Sequence, residues 1–421
     1  MDKLIINGPN KIKGSVAVSS AKNATLPILA ATILSPSKII FDNLPGLSDI
    51  SFFTQILNSL GVQSSQDGDK TIFMADEINN IKADYDLVRK MRASVLVLGP
   101  LLARKKEAIV SLPGGCAIGS RPVDIHLKGL EKLGAEIEIK KGYIYAKTKG
   151  LVGSKIVLPF PSVGATENLM MAAVMAQGTT TIDNAAREPE IEDHGNFLNE
   201  LGFKVKGHGS STITIEGVKF EDLKVREVNY SIIGDRIEAA TYIIAALMMD
   251  SELKVDKFNP EHLDFVLNTL QQMGAKLERG ENFVQVYPSG KLKGVRIETA
   301  PYPGFPTDVQ AQIMALMGVC DGDSVIIENI FENRFMHVPE LVRMGYDIEI
   351  DGNNAFIKGN SELTGAPVMC TDLRASAALI LAAMTAQGES TISRIYHLDR
   401  GYEKLADKFA GINGNIQRVK E

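Results

Sequence analysis

A chain of 421 residues with 45% apolar and 23% charged side chains is long enough for two or three domains, each with its own core. Its formal net charge of −6 gives no general attraction for nucleic acid or anionic membrane, so an anionic ligand must be met by local clusters of Lys and Arg. The longest apolar stretches, such as 93–103, fall well short of the ~20 residues of a membrane span, and no export signal opens the chain.

In chain order, an Ala-rich apolar helix is predicted over 23–34, a strand over 38–41, then an amphipathic helix ending at Leu60 and capped by Gly61. The same order returns five times. Apolar helices are predicted over 91–102, 165–176, 236–248, 309–319 and 375–386, and strands over 108–112, 180–183, 253–255, 325–328 and 391–394. The caps are Gly134, Gly202, Gly274, Gly345 and, degenerate, Asn413, so the six caps lie 73, 68, 72, 71 and 68 residues apart. Glycine is the residue of choice where a helix ends in the left-handed region, and Asn the next best. A hairpin such as 276–278 with 284–286 often closes the unit. Pro27 and Pro100 interrupt the first two apolar helices.

A period near 70 residues is too long for the common helical solenoids, whose repeats span ~30–50. Six mixed units suit two domains of three, and helices apolar on nearly all sides suggest helices inside and sheets outside.

The repeat locates polar residues by phase. Starts of apolar helices carry Lys22-Asn23, Met91-Arg92, Asp235-Arg236, Thr307-Asp308 and Asp372-Leu373-Arg374. Turns after the following strand carry Pro113-Gly114-Gly115-Cys116, Phe331-Glu332-Asn333-Arg334 and His397-Leu398-Asp399-Arg400. Cations gathered at helix N-termini suit a multiply anionic ligand. Lys22 at a helix start is disfavoured by the dipole unless an anion offsets it. Cys116 lies in a Gly-rich loop with Arg121 five residues on, an environment that lowers a thiol pKa and raises its reactivity. Cys320 and Cys370 read as packed side chains, and the three cysteines form neither a disulfide framework nor a metal site. Asp308 reads either as a helix cap or as a general base toward a hydroxyl. The protonation of His126 and His397 is not legible in sequence. There is no GxGxxG, Walker, HExxH or paired CxxC motif, so no cofactor and no metal is expected.

At these residues the chain resembles the UDP-N-acetylglucosamine 1-carboxyvinyltransferase family of enolpyruvyl transferases. The matching stretches are 21–24 (AKNA), 85–94 (YDLVRKMRAS), 112–126 (LPGGCAIGSRPVDIH), 162–166 (SVGAT), 184–191 (NAAREPEI), 305–312 (FPTDVQAQ), 331–341 (FENRFMHVPEL), 371–376 (TDLRAS) and 394–403. The resemblance implies an α/β fold of two inside-out domains, each of three βαβαββ-type units with buried helices and outer sheets. It places residues 22–232 in one domain, residues 1–21 with 233–421 in the other, and the active site in the cleft between them.

The substrates it implies are phosphoenolpyruvate and UDP-N-acetylglucosamine, with enolpyruvyl transfer to the sugar 3-hydroxyl at the first committed step of peptidoglycan synthesis, in the cytoplasm. Cys116 would form a phosphoenolpyruvate adduct, act as acid toward C3 and be alkylated by fosfomycin. Lys22, Arg121 and Arg400 would hold the phosphate, with Asn23, Arg92 and Arg374 nearby, and Asp308 would deprotonate the hydroxyl. Asn23, Arg92, Arg121, Pro122, Val123, Asp124, Ile125, Ser162, Val163, Asp308, Ile330 and Arg334 would contact the UDP-sugar.

Phe160-Pro161 stands where many relatives carry a charge. Three other readings are a regulatory paralogue that only binds UDP-sugar, a sister transferase acting on shikimate 3-phosphate, and an RNA-end-processing enzyme of related repeats, which the acidic balance disfavours. No membrane span or nucleic acid is expected, and the oligomeric state is not legible in the sequence, a monomer being compatible with it.

Overall fold

The computed structural model describes residues 2–88, 91–112 and 123–420, and for Arg92 the backbone alone. Its contacts divide these residues into two units, 2–19 with 234–420 and 20–112 with 123–233. The boundaries of these units fall at 19/20 and 233/234.

Among the described residues are six four-stranded sheets, all built alike. Lys155–Val157 runs parallel to Thr179–Asp183, which pairs antiparallel with Thr212–Glu216 and, beyond it, Lys204–Lys206. Ile156 stands opposite Ile182, and Ile182 opposite Ile213, so one buried row faces the helices. Two parallel edge strands come from elsewhere in the chain. Glu227–Tyr230 lines the first sheet beside Lys38–Phe41, and Lys13–Ala17 lines the fourth beside Glu252–Asp256. The last sheet's hairpin is split, with Asp2–Gly8 lying between Gly388–Ser393 and Ile416–Lys420.

Inside each unit the apolar helices pack on one another. Arg236–Met248, Gln310–Val319 and Leu373–Thr385 are in mutual contact and almost wholly buried, and Val163–Ala173 packs on Lys22–Ala31 and Leu98–Lys105. Five caps are left-handed glycines, with φ of 113° at Gly61, 91° at Gly134, 97° at Gly202, 108° at Gly274 and 104° at Gly345, and Asn413 follows at 69°.

The prolines act differently from the expectation. Pro27 lies within the unbroken helix Lys22–Ala31, which tightens only afterwards into a 3-10 turn, Thr32–Leu34. The helix predicted over 91–102 is instead a 3-10 turn, Arg92–Val97, followed by Leu98–Lys105. Pro100 sits in the first turn of that helix, where its missing N–H leaves no bond unmade.

Candidate active site

In the unit formed by 2–19 and 234–420, the chain before Gln310–Val319 turns through Pro306 and the 3-10 turn Thr307–Val309, which shows no side-chain cap. Asp308 is therefore not spent on capping. Its Oδ1 accepts from Arg334 Nη2 at 2.8 Å and its Oδ2 from Arg374 Nη2 at 2.9 Å. The arginine side chains are 4% and 6% exposed, the aspartate 27%. Two near-buried guanidiniums clasping one carboxylate fix its orientation more firmly than a single ion pair would. Burial alone would lower the Arg374 pKa, but the negative groups around it, Asp308 first, more than offset this and raise it.

Arg374 owes its place to the start of Leu373–Thr385, where Asp372 Oδ1 accepts from the backbone N–H of Arg374 and Ala375 at 2.9 and 3.1 Å. The 3-10 turn Ile395–Arg400, which carries Arg400, packs on the same helix. Partial burial and, after it, the charge of Arg400 lower the His397 pKa.

Beneath Asp308 lies a carboxylate the sequence reading passed over. Glu328, 3% exposed, ends the strand region Ser324–Ile327. Its Oε1 accepts from Thr299 Oγ1, Ile330 N and Phe331 N at 2.9, 2.8 and 3.1 Å, and its Oε2 from Thr307 Oγ1 at 2.9 Å. One side chain thus ties the residue before Asp308 to Ile330 and to the turn bearing Arg334. Only its position, directly ahead of the phased turn Phe331–Arg334, hinted at this.

In the unit formed by 20–112 and 123–233, Lys22 opens Lys22–Ala31 and Asn23 follows it. Lys22 is only 13% exposed, and its Nζ lies 3.1 Å from Asp49 Oδ2, itself 3% exposed, in the first turn of Ser48–Leu60. A protein carboxylate therefore offsets the unfavourable helix start for which the sequence reading invoked a bound anion. Leu47-Ser48-Asp49 reads in sequence as a helix beginning and gave no sign of that partner.

Val123, Asp124 and Ile125 lead into Asp124–Lys132, and Ser162 caps Val163–Ala173 by accepting from Ala165 N–H at 3.4 Å. These two helices pack together, and Val163–Ala173 also touches the turn beginning at Arg92. Cys116, Arg121, Pro122 and the Arg92 side chain lie outside the described residues. Cys320 and Cys370 are buried free thiols, pushed up to about 12 and about 11 by burial. Among the described residues no group of His, Cys, Asp or Glu is arranged to hold a metal ion, and no helix is long and apolar enough to cross a membrane.

Six four-stranded sheets packed around buried helices, three of which carry Lys22, Arg236 and Arg374 in their first turns, define the class. The family model for EPSP synthase (3-phosphoshikimate 1-carboxyvinyltransferase) matches residues 6–409, and the chain belongs to this family of enolpyruvyl transferases. Within it, the chain is 51% identical over 421 residues, the full length of both chains, to the UDP-N-acetylglucosamine 1-carboxyvinyltransferase of Geobacter metallireducens. It is 50% identical, again over both full lengths, to the enzyme of that name from Idiomarina loihiensis.

Solved structures agree in fold. The enolpyruvyl transferase NikO from Streptomyces tendae superposes with a TM-score of 0.90 at 24% identity, over 100% of this chain and 99% of that one. EPSP synthase from Acinetobacter baumannii gives 0.76 at 17%, over 100% of both chains.

Proposed function

We propose that the chain transfers the enolpyruvyl group of phosphoenolpyruvate to the 3-hydroxyl of UDP-N-acetylglucosamine and releases phosphate, opening peptidoglycan synthesis in the cytoplasm. The observation that carries this reading is Asp308, held at a helix start by Arg334 and Arg374, in a chain about half identical over its whole length to enzymes of that name.

The reaction is an addition followed by an elimination. A proton is delivered to C3 of phosphoenolpyruvate, and C2 becomes cationic and is attacked by the sugar oxygen as its own proton leaves. The tetrahedral intermediate then expels phosphate as a C3 proton departs, which restores the double bond. Such a path needs an acid above C3, a base at the hydroxyl and cations on the phosphate. Cys116 is assigned as the acid, and as the thiol that adds to phosphoenolpyruvate. Asp308 is assigned as the base. Lys22, Arg121 and Arg400 take the phosphate, with Asn23, Arg92 and Arg374 beside it.

For the UDP-sugar the assigned contacts are Asn23, Arg92, residues 121–125, Ser162, Val163, Asp308, Ile330 and Arg334. The division into domains at 22–232 and at 1–21 with 233–421 is part of the same reading. Cys116 is the residue that fosfomycin would alkylate.

Phosphate release is the test. Purified protein should release phosphate from phosphoenolpyruvate with UDP-N-acetylglucosamine and not with shikimate 3-phosphate, and Cys116→Ser should sharply reduce turnover near neutral pH. Release with shikimate 3-phosphate alone, or no release with either acceptor, would overturn the assignment. Full activity in Cys116→Ser would remove the thiol from the chemistry.

A further inference from the structure

The most completely determined polar cluster outside the residues assigned above is centred on Asn168, fully buried one turn into Val163–Ala173. Its Oδ1 accepts the backbone N–H of Gly99 at 2.6 Å, while its Nδ2 donates to the carbonyl of Val95 at 2.9 Å. A backbone N–H can only donate and a carbonyl can only accept, so these two partners leave the amide one orientation. The second N–H of Nδ2 then faces His126 Nδ1 at 3.1 Å. Nδ1 must accept, so the ring is neutral with its proton on Nε2. An imidazolium would set N–H against N–H.

The opposite edge of the ring lies against Gly164. A Cβ built there would stand 3.3 Å from His126 Cε1 and 3.5 Å from Nε2. Glycine at 164 thus lets the imidazole sit against the first turn of Val163–Ala173. Asn168 in this way ties the start of Val163–Ala173 to the turn Arg92–Val97 through Val95, to the helix Leu98–Lys105 through Gly99 and to the start of Asp124–Lys132 through His126. All but Leu98–Lys105 carry residues assigned to the UDP-sugar.

We propose that Asn168 is a positioning residue for sugar-nucleotide binding, acting by holding His126 as the Nε2-protonated tautomer between the two helix starts. The proposal rests on the function assigned above. Losing a buried, fully bonded amide displaces segments whose assigned contacts are mostly to the sugar nucleotide, with Arg92 shared between both substrates, whereas Lys22 and Arg400 lie outside the cluster.

Two measurements test it. In protein labelled with 15N-histidine, the His126 ring, identified by its loss in His126→Gln, should show the Nε2-protonated pattern at pH 7.5. A protonated Nδ1 overturns the proposal whatever the enzyme's substrate. In Asn168→Asp, whose second oxygen faces Nδ1, the KM for UDP-N-acetylglucosamine should rise about tenfold and that for phosphoenolpyruvate by clearly less, since of the segments displaced only Arg92 is shared. Should that variant not fold, Gly164→Ala, whose Cβ shifts the ring by a few tenths of an ångström without touching the amide, should give a split in the same direction and smaller. Equal change in both KM values, or none, overturns the proposal, whereas a wild-type protein inactive with UDP-N-acetylglucosamine overturns the assigned function.

Discussion

Replacing Glu328 by alanine removes the acceptor shared by Thr299, Thr307, Ile330 and Phe331. The two hydroxyls can turn toward other acceptors, but the two backbone N–H groups cannot. A buried donor left unmade costs about 1–3 kcal/mol, and these two are half-buried, so Glu328→Ala should destabilise the chain by about 3 kcal/mol. Glu328→Gln keeps one carbonyl oxygen for Ile330 and Phe331, and its amide can donate to Thr307 Oγ1 in a reversed bond. That change trades charge-assisted bonds for neutral ones and should cost about 1–2 kcal/mol. Urea unfolding gives both values, and phosphate release gives turnover, which should fall further in the alanine variant because Thr307 precedes Asp308. If alanine is no worse than glutamine in either measurement, Glu328 does not organise this region and the argument fails.

Asp308→Asn keeps the shape but cannot take a proton, so kcat should drop about 10²–10⁴-fold. A drop smaller than about tenfold removes Asp308 from proton transfer. Lys22→Ala deprives the buried Asp49 carboxylate of its lysine and should cost about 3 kcal/mol, most of which Lys22→Ala with Asp49→Ala should restore without restoring activity. If the double variant is as unstable as the single one, the pair is not what stabilises this helix start.

Asp193 is pushed up to about 6 by burial, although Tyr230 Oη and the N–H of Ile233 donate to its carboxylate. Its folded pKa lies above the ordinary 3.8, so the folded state binds the proton more tightly and stability falls as pH rises from about 4 to about 6. Asp193→Asn should flatten that slope in thermal melts across this range. An unchanged slope would show that Asp193 is not the group responsible.

What the sequence by itself determined was periodic and local. Helix caps depend on the steric freedom of one residue, so Gly61 through Gly345 and Asn413 marked the six units before any contact was known. Helices apolar on every side could only be interior ones, and the strand at Lys38–Phe41 and the helix at Arg236–Met248 carried their own bounds.

Tertiary structure decided what depends on partners distant in the chain. Edge strands Lys13–Ala17 and Glu227–Tyr230 are short and join sheets whose other strands lie far away in sequence, so nothing local announced them. The same holds for charge. Asp308 meets arginines 26 and 66 residues away, and Lys22 meets Asp49, because a buried ion takes whichever opposite charge the packing brings within reach. The tautomer of His126 belongs to this second group, since an amide on another helix decides it.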